Sequence, residues 1–251
     1  MEKSDYIYGI RAVIEAIEAG RDIDKVMIRK DLDGELAGEL LDIIRRDRIY
    51  AQRVPIEKLN KITRKNHQGV IAILSSVVYH RLDNLVAQLY EDGVVPFVVV
   101  LDGITDVRNF GAIARSAECA GADGIIIPLN KSVSVSGDAM KTSAGALNYI
   151  PVCREKSIAG AVKFLKNAGY KVVAASEKAD INYTQANYTD PIAIVMGAED
   201  VGISPEVLKL CDTFVSIPQF GHIESLNVSV AAGVLMYEVV RQRLTSDMEV
   251  I

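Results

Sequence analysis

The chain has 251 residues, 49% of them hydrophobic and 24% charged, with a formal net charge of −5. That is long enough for one large domain or two small ones, and the balance is that of an ordinary globular protein. No apolar run approaches the roughly 18 residues of a membrane span, and the start, MEKSDYIYGIRAVIEAIEAG, has no apolar signal-peptide core. Cys119, Cys153 and Cys211 are scattered, odd in number and without a CxxC pair, which argues against a zinc site and a disulfide framework and for a reduced, cytoplasmic protein with no metal.

In chain order, Tyr8–Ala19 is expected to be helical, with Ile10, Val13, Ile14 and Ile17 on one face. Asp24–Arg29 reads as a short strand and Gly34–Arg46 as a second amphipathic helix. Leu59 and Ile62 recur at helical spacing after Val54 and Pro55. HQGVIAIL then places a β-branched strand after Gly69. This alternation predicts a small α/β domain over residues 1–78. Charge is uneven along the chain. Residues 1–80 carry 14 Lys and Arg against 13 Asp and Glu, and residues 81–251 carry 14 against 20. Arg45, Arg46, Arg48, Arg53, Lys58, Lys61, Arg64 and Lys65 face only Asp47 and Glu57 within their segment. Such a cluster can bind phosphates, or can simply be a solvated face.

Residues 79–95 read as a linker, with a connecting helix at Arg81–Tyr90 and a break at EDGVVP. The second domain, 96–245, opens on Phe97–Leu101, a continuous apolar strand of the kind buried on both faces of a parallel sheet. The loop DGITDVRNFG leads into a helix expected at Ala112–Ala120, followed by strands at Gly124–Ile127, Lys171–Ala175, Ile192–Met196 and Thr213–Ile217. Helices are expected at Ile158–Ala168 and Pro205–Leu210, while Lys131–Tyr149 resists assignment. Pro218 stops the last strand, and Ser225 is a natural N-cap for a final helix with Leu226, Val230, Gly233, Val234 and Tyr237 along one side. Ser229, Ala232 and Gly233 make that helix small-sided.

Three loops, Asp102–Gly111, Gly197–Ser204 and Pro218–Ser225, follow the C-terminal ends of three apolar strands, the edge where open parallel sheets bind ligands. No GxGxxG follows the first strand and no GxxxxGK[ST] occurs, which argues against a nicotinamide dehydrogenase and a P-loop NTPase.

DGITDVRNFGAIARSAECAGADGIIIP, IVMGAEDVGIS and IPQFGHIESLNVSVAAGVLMYEVVRQR resemble, in order and spacing, the three motifs of the SpoU (TrmH-like) family of RNA ribose 2′-O-methyltransferases within the SPOUT superfamily. YIYGIRAVIEAI and HQGVIAIL resemble that family's L30e-like RNA-binding domain. The branch most resembled methylates a guanosine ribose in bacterial 23S ribosomal RNA. The resemblance implies a parallel-sheet domain tied in a deep trefoil knot, a homodimer, an RNA partner and S-adenosylmethionine (AdoMet) as methyl donor. It also implies cofactor contacts at Gly197, Ile217 and Leu226, with Met196 and Ser225 beside them. Arg115 matches the motif-one arginine that serves the ribose hydroxyl or its phosphate, and Asn109 the motif-one asparagine. Glu199, Ser225 and Asn227 complete the implied catalytic set. Taken singly, Arg115 reads as a surface helix arginine, Asn109 and Ser225 as helix caps, and Glu199 as a first-turn carboxylate. Asp200 and Gln219 depart from the family's usual glycine and methionine, which bears on cofactor affinity and substrate choice. His222 is expected to be an exposed loop residue; His67, in the HQG turn, is either an RNA contact or a structural hydrogen-bonding group. Methylation of transfer RNA, and an RNA-binding assembly factor without transfer activity, are the alternatives.

Overall fold

Alternating apolar residues in the N-terminal strands sort themselves onto two faces. The computed structural model describes residues 6–47, 49–130, 132–133, 135–223 and 225–248; Arg48, Glu224 and the first five residues lie outside them. The chain divides into two compact units, Met1–Val78 with Ser134–Gly137, and Tyr79–Val133 with Asp138–Ile251. The first contains β1 (Tyr6–Tyr8), α1 (Ile10–Glu18), β2 (Ile23–Arg29), α2 (Glu35–Arg46), β3 (Ala51–Val54), α3 (Ile56–Ile62) and β4 (Val70–Leu74). Among the described residues its sheet has the order β1-β4-β2-β3. The β2–β3 pair is parallel, while β1–β4 and β2–β4 pair antiparallel. Val26, Ile28, Val70 and Ala72 pack with Val13, Ile14, Leu40 and Ile44 of α1 and α2. Met27 and Ile71, one residue out of phase, face the other way and meet Leu59 of α3.

Residues 79–95, read as a linker, lie in the second unit. It holds β5 (Tyr79–His80), which pairs with a later strand, and α4 (Leu82–Glu91), whose Leu82 and Val86 join that unit's core. The chain continues through β6 (Phe97–Asp102), α5 (Val107–Cys119), β7 (Gly124–Pro128), α6 (Gly137–Thr142), β8 (Val152–Glu155), α7 (Ile158–Asn167), β9 (Lys171–Ala175), β10 (Ile181–Asn182), β11 (Ile192–Gly197), α8 (Pro205–Leu208), β12 (Thr213–Ser216) and α9 (Val228–Met248). The sheet is parallel at every pairing, in the order β10-β12-β9-β11-β6-β7-β8-β5. Val98, Val100, Ala193 and Val195 pack against α4, α7 and the residues around α8. Phe97, Val99, Ile192 and Ile194 point to the opposite face, where α5 and α9 pack on each other and on the sheet.

Three expectations change. Tyr8 belongs to a strand, not to α1, because Gly9 at φ 92 turns the chain before the helix begins. Helix α5 starts at Val107, five residues ahead of the expected Ala112, because Asp106 accepts hydrogen bonds from the N–H groups of Arg108 (2.7 Å) and Asn109 (3.0 Å). Gly111 sits inside that helix, where a Cβ would lie 2.8 Å from the Thr142 carbonyl carbon. Helix α9 starts at Val228, with Asn227 and not Ser225 as its cap, and it buries Val228, Ala232, Leu235, Met236 and Val239. The stripe read along one side of this helix contains Val230 and Tyr237, which are exposed. Helix α9 is apolar on both sides, so helical spacing alone does not choose the face. A Cβ at Gly233 would meet the Ser116 hydroxyl of α5 at 3.9 Å, an ordinary van der Waals contact.

The far end of α9 is clamped by side chains. Arg243 donates to the carbonyls of Val95 (2.8 Å), Pro96 (3.2 Å), Asp190 (3.2 Å) and Tyr188 (3.3 Å). Gln242 accepts from the Tyr188 N–H and donates to the Ala186 carbonyl and to Glu238. Burial lowers the Arg243 pKa from its ordinary value, so the carbonyls stand in for lost water around a cation. A lysine cannot reproduce this planar fork. Arg243→Lys is expected to lower unfolding stability by about 2 kcal/mol in urea titrations.

Candidate functional site

Strands β6, β11, β9 and β12 end at one edge of the parallel sheet, with Gly197 paired in register with Asp102. Around this edge lies a cleft of about 520 Å³, within the size range of small-molecule sites. Met196, Gly197, Ile217, Ser225 and Leu226 all line it, and so do Glu199 and Asn227. Asp200 and Gln219, the two departures from the motif pattern, line it as well.

Asn227 joins the three loops. As the residue before α9, it caps the helix: its Oδ1 accepts from the Ser229 N–H at 2.9 Å and the Ser229 hydroxyl at 2.5 Å. With the oxygen so engaged, its Nδ2 faces the other way and donates to Asn109 Oδ1 at 3.0 Å and Glu199 Oε1 at 2.9 Å. One amide thereby connects the loop after β12, the first turn of α5 and the loop after β11. Asn109 Nδ2 and Glu199 Oε2 keep no hydrogen-bond partner among the described residues and are available to a ligand. Ser225 is not the helix cap; it sits two residues upstream, exposed on the cleft wall.

The loop after β11 is a tight return. Ala198 and Gly202 form a β-bridge, with the Gly202 N–H donating to the Ala198 carbonyl at 2.8 Å. A Cβ at Gly197 would lie 2.3 Å from the Gly202 carbonyl carbon and 2.3 Å from the Ile203 nitrogen. Close approach does demand glycine here, but the approaching backbone is the chain's own. Asp102 holds the end of the same loop, accepting from the Ser204 N–H at 2.7 Å.

Arg115 is the candidate that the structure does not bring to the cleft. It is exposed on α5 with no ion pair or hydrogen bond among the described residues, and six residues of helical rise place it about 9 Å along the axis from Asn109. Five residues escaped the sequence reading as contributors to the site. Asp102 and Asp106 set the loop and helix start, and Ser176, Glu177 and Lys178 after β9 form a further cleft wall. The strand order was the missing signal for that wall, because β9 lies between β11 and β12. His222 is an exposed loop residue. Among the described residues no group of three or more His, Cys, Asp or Glu is placed to hold a metal ion, and no helix is long and apolar enough to cross a membrane.

A family model described as the SpoU rRNA methylase family matches residues 96–237. The chain belongs to that family. A second model, described as RNA 2′-O ribose methyltransferase substrate binding, matches residues 6–80. A putative TrmH family tRNA/rRNA methyltransferase of Staphylococcus saprophyticus is 37% identical over 237 residues, 94% of this chain and 95% of that one. The SpoU methyltransferase AviRb from Streptomyces viridochromogenes, solved in complex with AdoMet, is 28% identical and superposes with a TM-score of 0.60 over 95% of this chain and 90% of its own. An AdoMet-bound rRNA methyltransferase from Sinorhizobium meliloti is 25% identical, with a TM-score of 0.58 over 94% of this chain and 86% of its own. This SpoU protein is therefore an RNA methyltransferase that uses AdoMet.

The cleft fits that cofactor chemically. Met196, Ile217 and Leu226 offer apolar surface, while Glu177, Glu199 and Asp200 offer carboxylates to a sulfonium and an ammonium, and Lys178 offers a cation to a carboxylate. Asn227→Asp separates the cap from the junction, because an aspartate caps a helix as well but faces Glu199 with a like charge. Circular dichroism is expected to show an unchanged helix content, while calorimetry shows AdoMet binding weakened by about tenfold, or 1.4 kcal/mol. Unchanged affinity would remove the junction from the cofactor site.

Proposed function

We propose that this SpoU enzyme transfers a methyl group to the 2′-hydroxyl of a ribose in ribosomal RNA, with a guanosine of 23S rRNA as the target and the cytoplasm as its place of action. The junction at Asn227 carries the proposal, because it sets an oriented amide and a carboxylate at the mouth of a cofactor-sized cleft. The substrate-binding match over residues 6–80 supports a ribose target, and the resemblance of the motifs to the 23S branch supports the guanosine.

When bound, AdoMet supplies an electrophilic methyl group on a sulfonium whose sulfur is the leaving group. The residues of this chain have the remaining tasks. Gly197, Ile217 and Leu226 would hold the cofactor by backbone contacts, with Met196 and Ser225 beside them, and exclude water from one side. Asn109 donates through Nδ2 to the ribose, steadied by Asn227 at its oxygen. Arg115 serves the substrate and not the cofactor, consistent with its place outside the cleft. An arginine stays protonated, so it stabilises the developing alkoxide and the neighbouring phosphate while the hydroxyl proton passes to solvent.

The proposal includes residues 1–78 as an L30e-like RNA-holding domain, a trefoil knot in the second, and a homodimer. Val230, Tyr237 and Leu244, exposed along one side of α9 at intervals of seven, support the dimer.

The test is a map of ribose 2′-O-methyls in total RNA from cells with and without the protein. Loss of one 23S guanosine methylation is expected; a change confined to transfer RNA would transfer the same chemistry to that substrate. Arg115→Ala is expected to lower turnover on that RNA at least about 100-fold while AdoMet affinity stays unchanged. Lost AdoMet binding in a folded variant would assign Arg115 to the cofactor instead.

A further inference from the structure

The basic stretch Arg45–Lys65 separates into two halves. In the first, Arg45 bonds Asp42 at 2.8 Å, Arg46 forks onto Asp47 at 2.7 and 2.8 Å, and Arg53 donates to the Lys30 carbonyl at 2.8 Å. These charges are spent locally. In the second, Lys58, Lys61 and Arg64 are exposed and make no ion pair or hydrogen bond among the described residues, and Lys65 lies 5.9 Å over the Tyr8 ring. Glu57, Asn60, Lys61 and Arg64 line a depression on this surface.

The ground beneath it is rigid. His67 is 6% exposed, and its Nδ1 accepts from the Gly69 N–H at 3.0 Å. That bond places the ring proton on Nε2, which donates to Asn60 Oδ1 at 3.0 Å. The Asn60 NH₂ group is thereby turned away from His67, without a partner among the described residues. Thr63 Oγ1 accepts from the Lys65 N–H at 3.3 Å, and Gln68, at φ 52, accepts through Oε1 from the Ile10 N–H at 3.1 Å. Two loose lysines and an arginine on a mobile loop would attract any polyanion weakly. Here one donor, the Asn60 amide, is oriented before a ligand arrives, which lowers the ordering cost of binding at that position.

We infer that Asn60, Lys61 and Arg64 form a phosphate-binding subsite for the RNA substrate on the first unit, with His67 as the positioning residue that presents the Asn60 amide. The inference rests on the RNA-methyltransferase reading and adds to it which charges engage the backbone. Arginine suits a phosphate through its fork, lysine as a point charge, and an amide NH₂ as a neutral donor. Glu57 at the rim disfavours an anion at its own edge and so confines the subsite to the Asn60–Arg64 side.

The test uses the full chain and a fluorescein-labelled mixed-sequence RNA hairpin, with anisotropy read from about 50 to 200 mM salt. Lys61→Gln with Arg64→Gln is expected to weaken binding and flatten the salt slope by about 1.5, at roughly 0.7–0.9 for each phosphate that is no longer neutralised. Arg45→Gln with Arg46→Gln removes the same formal charge and is expected to stay within twofold of wild type. Asn60→Asp keeps an acceptor for His67 Nε2 but replaces the donor by an anion. It is expected to weaken RNA binding at least fivefold with an unchanged melting midpoint and unchanged AdoMet affinity, a result that a purely structural Asn60 would not give. Equal effects of the two double variants, or wild-type binding by Asn60→Asp, would overturn the subsite. A wild-type chain that binds AdoMet but no RNA would overturn the methyltransferase reading and the subsite together.

Discussion

The site depends on a single amide. Asn227 must end the loop after β12, start α9 and hold two other loops, and its two polar atoms divide those tasks without overlap. Because Oδ1 is committed to Ser229, Nδ2 has one direction left, and Asn109 and Glu199 lie along it. A serine or threonine would cap the helix but could not donate to both partners, and a glutamine is too long to cap. The position therefore accepts one residue type for reasons of geometry.

What lets one amide reach three loops is the parallel sheet. Parallel strands deliver their C-terminal ends to the same edge, and the β12-β9-β11-β6 order sets four such ends side by side. The loops are then shaped by close contacts, not by length. Gly197 admits the returning backbone of Gly202 and Ile203, Asp102 holds Ser204, and Gly111 admits Thr142 against α5. Helix α9 is secured at both ends, by Asn227 at the cleft and by Arg243 on four carbonyls at the other end. The second clamp lies far from the cleft yet fixes the helix whose first residue follows Asn227.

The sequence showed most where patterns were local and long. Phe97–Leu101 read correctly as a strand buried on both faces, and the five cofactor-contact residues implied by the motifs all line one cleft. Helix starts were less legible. Ser225 and Asn227 are equally good caps in isolation, and only the burial of Val228 and Ala232 decides between them. At α5, Arg108, Asn109 and Gly111 looked like loop because the packing that tolerates a glycine inside the helix comes from Thr142, more than thirty residues away. Strands β3 and β8, each of four residues, carry a polar or charged residue at two of their four positions and show no apolar run. The basic cluster was visible as composition, but its division needed the partners: Asp42 and Asp47 quench one half while the other remains open. His67, ambiguous in the sequence, is settled as a buried structural group by its two hydrogen bonds.

The central claim is that the loops after β9, β11 and β12 line one cofactor site, in which Asn227 ties the loops after β11 and β12 to each other. Amide hydrogen exchange of the full chain, with and without S-adenosylhomocysteine, tests it most directly. Protection is predicted in three separate segments, 175–178, 196–203 and 217–231, with none gained across 56–66 of the first unit. In Asn227→Asp, protection of 196–203 should fall together with that of 217–231, because the two loops share the amide. Protection confined to one segment, or gained in the first unit, would contradict the account.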